Sequence, residues 1–252
     1  MAGNTGSPGQ SVAARALAVL GAFDREHRAL TLTEIAERAR LPMPTTHRLV
    51  RELETWGALT RRPDNRFVVG RRMWDLGLLA PIQSGIREIA APFLQDLYAA
   101  TLATVHLAVR DEAQVLYLDR LSGRASVPVV SRVGSRLPLH CTGVGKVLLA
   151  HAPDDIRRTA MEDLTPMTRH TIVAAGVLDR QLRQIRQQGY ATTVEEMTLG
   201  ACSVAVPVRR GDTVVAALGV VVPTLGRNRP TLVAAAQVAA RGVGRMLPET
   251  SP

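Results

Sequence analysis

From Ser11 to about Asp24 apolar residues recur at helical spacing, at Ala13, Ala16, Leu17, Leu20 and Phe23, while Arg15 and Arg25 fall on other faces. This predicts a first helix. Thr31 and Glu34 form a T-x-x-E capping box, in which hydroxyl and carboxylate each satisfy a free backbone N–H, and open a short second helix that ends near Ala39. After Arg40-Leu41-Pro42, Pro44 suits the first position of a third helix, where its missing N–H costs nothing, and Thr45 to Thr55 runs without a breaker. On that third helix Leu49, Val50, Leu53 and Trp56 share one side. His47, Arg48 and Arg51 point away from it, with Thr45 and Thr46 on the flank of the first turn. Gly57 stops the helix, and Ala58 to Arg61, Pro63-Asp64-Asn65 and Arg66 to Val69 read as strand, turn and strand.

Three helices and a basic hairpin in this order predict a winged helix-turn-helix over residues 11–72. The outward set on the third helix has the chemistry for duplex DNA: an Arg can make two hydrogen bonds to one guanine edge, and Thr can contact a phosphate or a thymine methyl. Candidate DNA contacts are therefore Thr45, Thr46, His47, Arg48 and Arg51 on the helix, with Arg61, Arg62 and Arg66 of the hairpin on phosphates or in the minor groove. An ordinary solvated helix face would look the same in isolation; the succession of all four elements is what distinguishes the two.

Behind this domain the periodicity changes. Met73 to about Ser84 reads as a linking helix (residues 73–85) interrupted near Pro81, and Ile86 to Ala100 is helical again. Alternating or β-branched runs at Ala103–Val109, Gln114–Leu121 and Ser126–Val133 predict strands. Helices follow at Gly143–His151, Asp154–Met161 and Val177–Gln188. Strands resume at Tyr190–Val194, Ser203–Val208 and Thr213–Val222, before a last helix from about Pro230 to Met246. Strands and helices do not alternate as βαβ units, so residues 86–248 are expected to form a mainly antiparallel sheet flanked by helices. The fold class is α+β.

Composition sharpens this picture. The 252-residue chain carries 31 basic against 22 acidic side chains, formally +9, which favours a polyanionic partner. Residues 1–72 hold 12 Arg against 7 acids, so the excess is densest in the candidate DNA-binding domain. Only Cys141 and Cys202 occur, too few for a disulfide framework, and neither belongs to a CxxC pair. Residues 1–10 lack the charged-then-apolar pattern of a signal peptide and read as a disordered tail; no apolar run reaches membrane-spanning length. A cytoplasmic location with no membrane association is expected.

The segment Leu137 to Lys146 turns a loop into a helix, with Thr142 able to cap and Gly143 and Gly145 letting backbone approach a ligand. Free N–H groups there would hold a carboxylate. Lys146, the single lysine beside 30 arginines, suggests a place that requires an ammonium. A Cys141–His140 nucleophile pair is conceivable, but neighbours on a strand point to opposite faces and no orienting carboxylate is evident. No G-x-S-x-G elbow, P-loop or H-E-x-x-H helix occurs, so no catalytic residue is assigned. His140, Cys141, Cys202 and Glu195 would have to converge from distant segments to hold a metal; no metal or cofactor is expected. His106 is expected to sit in the sheet as a hydrogen-bonded core or interface residue.

The stretch LTLTEIAERARLPMPTTHRLVRELETWGAL resembles the DNA-binding segment of the IclR (isocitrate lyase regulator) family of bacterial transcription factors. RLPLHCTGVGKVLLA and GYATTVEEMTLGACSVAVPV resemble that family's two effector-domain signatures. The resemblance spans nearly the whole chain and implies a GAF/profilin-like effector domain, a linking helix with dimer contacts, and a homodimer or a dimer of dimers. It implies a regulator, repressor rather than activator, whose hold on a palindromic operator is modulated by a small metabolite. The implied effector contacts are Gly143, Val144, Thr193, Ser203, Gly219 and Val221, with Leu139 and Val129 as apolar wall. Members that take small oxoacids carry Asp where Thr193 stands, Cys at Ser203, and serines at Gly219 and Val221. The loss of those polar partners points to an apolar or aromatic acid, because an unmatched buried polar group costs about 1–3 kcal/mol. Arg40 departs from the family's usual Gly at the helix-turn-helix turn. Two other readings stay open on sequence: an enzyme using Cys141 and His140, and a DNA-binding protein without an effector.

Overall fold

A computed structural model describes residues 11–24, 26–79, 84–123 and 127–248. The expected tail, residues 1–10, lies outside them. The chain divides into two compact units with the boundary between residues 81 and 82.

The first unit begins with α1 (Val12–Gly21), which Ser11 caps by accepting from the Ala14 N–H. Val19 is its fully buried residue, and Ala16, Leu20 and Phe23 pack beside it as expected, whereas Leu17, also expected on the core face, is 67% exposed and Ala13 is exposed too. A two-residue strand β1 (Ala29–Leu30), too short to carry a period, was not foreseen. The expected capping box holds α2 (Leu32–Ala39): the Glu34 N–H donates to Thr31 Oγ1 and the Thr31 N–H to Glu34 Oε2 at 2.7 Å. Arg40 then takes a left-handed conformation at φ 55°, so this chain makes the turn with a residue other than glycine. α3 runs Met43–Trp56, starting one residue before the Pro44 expected at its first position. Leu49 and Val50 pack into a core with Val19, Ile35, Leu59 and Phe67. The hairpin β2 (Leu59–Arg61) and β3 (Phe67–Val69) is antiparallel, and β1 adds to its β3 edge. Helix α4 (Arg71–Leu78) starts two residues before the predicted linking helix; residues 80–83 of that linker lie outside the described residues.

The second unit is a six-stranded antiparallel sheet in the order β6-β5-β4-β9-β8-β7. The strands are β4 (Thr104–Asp111), β5 (Gln114–Leu121), β6 (Arg136–Pro138), β7 (Ala191–Val194), β8 (Cys202–Arg210) and β9 (Thr213–Val222). The strand expected over Ser126–Val133 does not form in its described part, residues 127–133; pairing to β5 falls instead to β6. Period two sorts each strand between two cores. Val105 and Leu107, Val204 and Val206, and Leu218 and Val220 pack with α5 (Ser84–Thr101) and α9 (Arg229–Met246). Ala108, Ala205 and Ala217 face α6 (Gly143–Ala150) and α8 (Ala175–Gln188), with α7 (Asp154–Glu162) beside them. The small residues on this second face let α6 lie close: a Cβ on Gly219 would stand 2.8 Å from Val144 Cγ1.

Candidate functional site

In the first unit, His47, Arg48 and Arg51 are exposed on α3 and line an open groove of about 580 Å3 together with Glu52, Thr55, Trp56 and Arg72. Among the described residues no carboxylate lies within ion-pair reach of His47, Arg48 or Arg51. Thr45 is half-buried at the start of this strip. Thr46, expected on the DNA face, is fully buried and its hydroxyl donates to the Pro42 carbonyl at 3.1 Å, so it belongs to the packed side of the helix. Trp56, expected in the core, is 42% exposed, because the core side of α3 closes at Leu53 and the chain turns away at Gly57.

Hairpin arginines differ among themselves. Arg61 lies over the Phe67 ring, 5.8 Å from its centroid, and Arg62 is exposed beside Asp64 at 3.7 Å. Arg66 donates to the Ala29 carbonyl at 3.0 Å and stands 3.4 Å from Glu34 Oε2, so it fastens the hairpin to β1 and the start of α2. Its guanidinium is already engaged within the unit, which sets it apart from Arg62.

In the second unit a cavity lies between α6, the second face of the sheet and the segment after β7. Its volume is about 50 Å3. Alternation along the strands explains what lines it. His106 on β4, Ser203 on β8, Val221 on β9 and Thr193 on β7 all point to the α6 face. Gly143 and Val144 present the start of α6, and Val129 closes another side. Thr142 caps that helix by accepting from the Gly145 N–H at 3.1 Å, which leaves the N–H groups of Gly143 and Val144 as the unpaired first-turn donors. Gly143 leaves room for the Ser203 hydroxyl, since a Cβ there would stand 2.4 Å from Ser203 Oγ and force that side chain to move. Thr193 and Ser203 share a hydrogen bond of 2.6 Å. Two of the expected contacts are placed elsewhere. Leu139 is buried in the α6–α8 core with its carbonyl against Gly145, and Gly219 serves the approach of α6 to the sheet.

None of the cavity's sixteen lining residues is Asp, Glu, Lys or Arg. His106 is the basic group nearest to that description, and burial, reinforced by Arg120, holds its imidazole down at about 3. It is therefore neutral; its Nε2 lies 2.9 Å from Ser131 Oγ, and its ring meets the Tyr117 ring edge-on at 5.0 Å. Ser131, Tyr117, Met197 and Thr198 also line the cavity and were not foreseen. Period two was the available signal for His106 and Tyr117; for residues 197–198, in a turn, none was.

Lys146 does not reach the cavity. It is fully buried and its Nζ donates to Glu196 Oε1 and Oε2 at 2.6 and 2.7 Å and to Gln181 Oε1 at 2.8 Å. Burial pushes its ammonium down and the Glu196 carboxyl up, each against the attraction of the pair. The ammonium thus ties α6 to α8 and to the segment carrying Met197 and Thr198. Cys141 and His140 do not form a nucleophilic pair: the Cys141 thiol, facing Met197 Sδ at 3.4 Å, is pushed up to about 12 by burial. His140 Nε2 is 3.0 Å from the Thr165 carbonyl. Among the described residues no cluster of His, Cys, Asp or Glu could hold a metal ion, and no helix is long and apolar enough to cross a membrane.

Both units match known proteins. Residues 12–63 match the IclR helix-turn-helix domain and residues 82–245 the bacterial transcriptional regulator IclR C-terminal domain. The HTH-type transcriptional regulator XynR of Escherichia coli is 32% identical over 208 residues, covering 81% of this chain and 82% of that one. KdgR of Dickeya chrysanthemi, also an HTH-type transcriptional regulator, is 29% identical over 86% of this chain and 74% of its own. A crystal structure of an IclR homolog from Microbacterium hydrocarbonoxydans, complexed with 4-hydroxybenzoate, superposes with a TM-score of 0.90 at 32% identity, covering 94% of this chain and 99% of that one. With an exposed basic strip on α3 in one unit and an uncharged cavity in the other, the chain belongs to the IclR family of DNA-binding bacterial transcriptional regulators.

Proposed function

We propose that the chain acts in the cytoplasm as a homodimer, or as a dimer of dimers, that represses transcription from a palindromic operator and changes its hold on DNA when an aromatic or apolar monocarboxylic acid enters the cavity. Two-fold symmetry of the protein calls for two half-sites related in the same way. In each half-site Arg48 and Arg51 read base edges, His47 and Thr45 contribute at the margin, and Arg61 and Arg62 bind phosphates, with Arg66 held back by its contacts to Ala29 and Glu34. Repression needs no further contact surface, because occupancy of promoter DNA suffices.

The observation that carries the ligand class is the uncharged lining beside the first turn of α6. A carboxylate finds the Gly143 and Val144 N–H groups and the positive end of the helix there, while Val129, Val144 and Val221 suit an apolar body. Among the described residues no cationic side chain lines the cavity, and the buried Lys146 ammonium is held by Glu196 and Gln181. The likeness to a protein complexed with 4-hydroxybenzoate supports the same class. Calorimetry of the full chain with 4-hydroxybenzoate, benzoate, glyoxylate and pyruvate tests it: the ring-bearing acids bind and the small oxoacids do not. Tight binding of glyoxylate or pyruvate would overturn the ligand class and leave the DNA reading intact.

A further inference from the structure

Arg72 stands on α4, beyond the hairpin strand β3, yet it lines the same groove as His47, Arg48 and Arg51. Its guanidinium is laid over the Trp56 ring, 4.4 Å from the centroid, and its Nη1 donates to the Trp56 carbonyl at 3.2 Å. The backbone fixes this placement. Gly57 turns at φ 85°, and the Arg72 stem passes within 3.5 Å of where its Cβ would be. The Gly70 N–H donates to the Ala58 carbonyl at 2.7 Å, and a Cβ on Gly70 would stand 2.2 Å from the Gly57 carbonyl oxygen. The start of α4 is thereby locked onto the exit of α3. Arg72 is exposed, and among the described residues no carboxylate lies within ion-pair reach of it.

A planar guanidinium held on an aromatic face, with one N–H spent on a carbonyl, keeps its remaining donors in a fixed plane, which suits a tetrahedral anion. An arginine that merely capped α3 would need neither the exposed ring nor the shared groove. Glu52 is the acidic member of that groove; facing it are three side chains of positive or titratable character on α3 and the Arg72 guanidinium. We infer that Arg72, held flat on Trp56 at the exit of the recognition helix, is a phosphate-binding residue of the DNA interface. This rests on α3 being the DNA-reading helix. The groove then carries the base-reading side chains toward its start and a backbone clamp at its end, and Trp56 is a positioning residue for that clamp.

The test uses the full chain, a duplex enriched by the wild type from a random library, and an unrelated duplex, each titrated over a salt series with thermal melting in parallel. Arg72→Gln is expected to bind both duplexes roughly tenfold more weakly. Its plot of log affinity against log salt should be shallower by about one unit, with the preference for the enriched duplex unchanged. Arg72→Lys keeps the wild-type slope, Trp56→Phe keeps the wild-type affinity, and Trp56→Leu behaves like Arg72→Gln. Weaker binding of Arg72→Gln with an unchanged slope, or with a lower melting temperature that Arg72→Lys shares, would make Arg72 a structural cap and overturn the inference. Unchanged affinity would do the same. If the wild type enriches no sequence, the reading of α3 itself fails, which is a different result.

Discussion

Replacing Lys146 by Met removes the cation from a buried triad and leaves the Glu196 carboxyl, 7% exposed, without two hydrogen bonds of 2.6 and 2.7 Å. A methionine fills nearly the same volume, so the perturbation is electrostatic and not a cavity. Breaking a buried pair from one side costs about 3–5 kcal/mol, because the surviving charge is desolvated with nothing to compensate it. For a unit of this size each kcal/mol lowers the melting temperature by about 2–4 °C, so a fall of roughly 6–20 °C is expected. Removing both charges, in Lys146→Met/Glu196→Leu, should return most of this loss, since an apolar replacement for a buried pair is often neutral or stabilising. Gln181 then loses a partner but is only half-buried and can turn to water. Without its ammonium, Glu196 has a folded pKa raised further above its unfolded value, so the deficit of the single variant is smallest below about pH 4.5 and grows as pH rises through that value. Urea unfolding of the full chain followed by circular dichroism measures all three. A single variant within about 1 kcal/mol of wild type, or a double variant as unstable as the single, would refute the reasoning.

Three further outcomes follow from the same geometry. The buried His106, held down at about 3, makes the unfolded chain the better proton acceptor below pH 6.5, so stability present at pH 7 falls by about 1.4 kcal/mol per unit as pH drops from 6.5 toward 3; a His106→Gln protein whose urea midpoint shifts between pH 7 and pH 5 as much as the wild type's would contradict this. Gly143→Ala places a methyl 2.4 Å from Ser203 Oγ and forces apart the Thr193–Ser203 pair, so the protein should fold, bind DNA and lose at least tenfold in affinity for 4-hydroxybenzoate by calorimetry, whereas unaltered affinity would remove Gly143 from the site. Arg40→Gly relieves a left-handed residue at φ 55° and should stabilise the first unit by about 0.5–1 kcal/mol after the added freedom of the unfolded glycine, with a lowered melting temperature as the contrary result.

Local rules in the sequence carried most of the secondary structure. The Thr31–Glu34 capping box, the Gly57 stop and the Thr142 cap each rest on a few adjacent residues, and each forms where the pattern places it. Long-range partners decide the elements that were misplaced. β6 forms at Arg136–Pro138 because β5 offers it a partner, not because its three residues have strong β character. Side-chain fate was harder to read than backbone. Thr46 and Thr45 are indistinguishable in sequence, yet only one turns its hydroxyl back on Pro42. Lys146 is conspicuous by its rarity, but the partner that explains it, Glu196, is fifty residues away and joined to it only by the packing of α6 against the segment after β7. The cavity's polar members, His106 and Ser131, likewise come together from a strand and a loop that no spacing relates.

Under the proposed function the exposed basic strip of α3 reads base edges of a two-fold symmetric operator. Nuclease footprinting of wild type and Arg48→Ala on the duplex enriched by the wild type tests it most directly. The wild type is expected to protect a region with two symmetry-related halves, lost for Arg48→Ala at concentrations where both proteins are folded and still bind unrelated DNA comparably. Identical protection by the two proteins would contradict it.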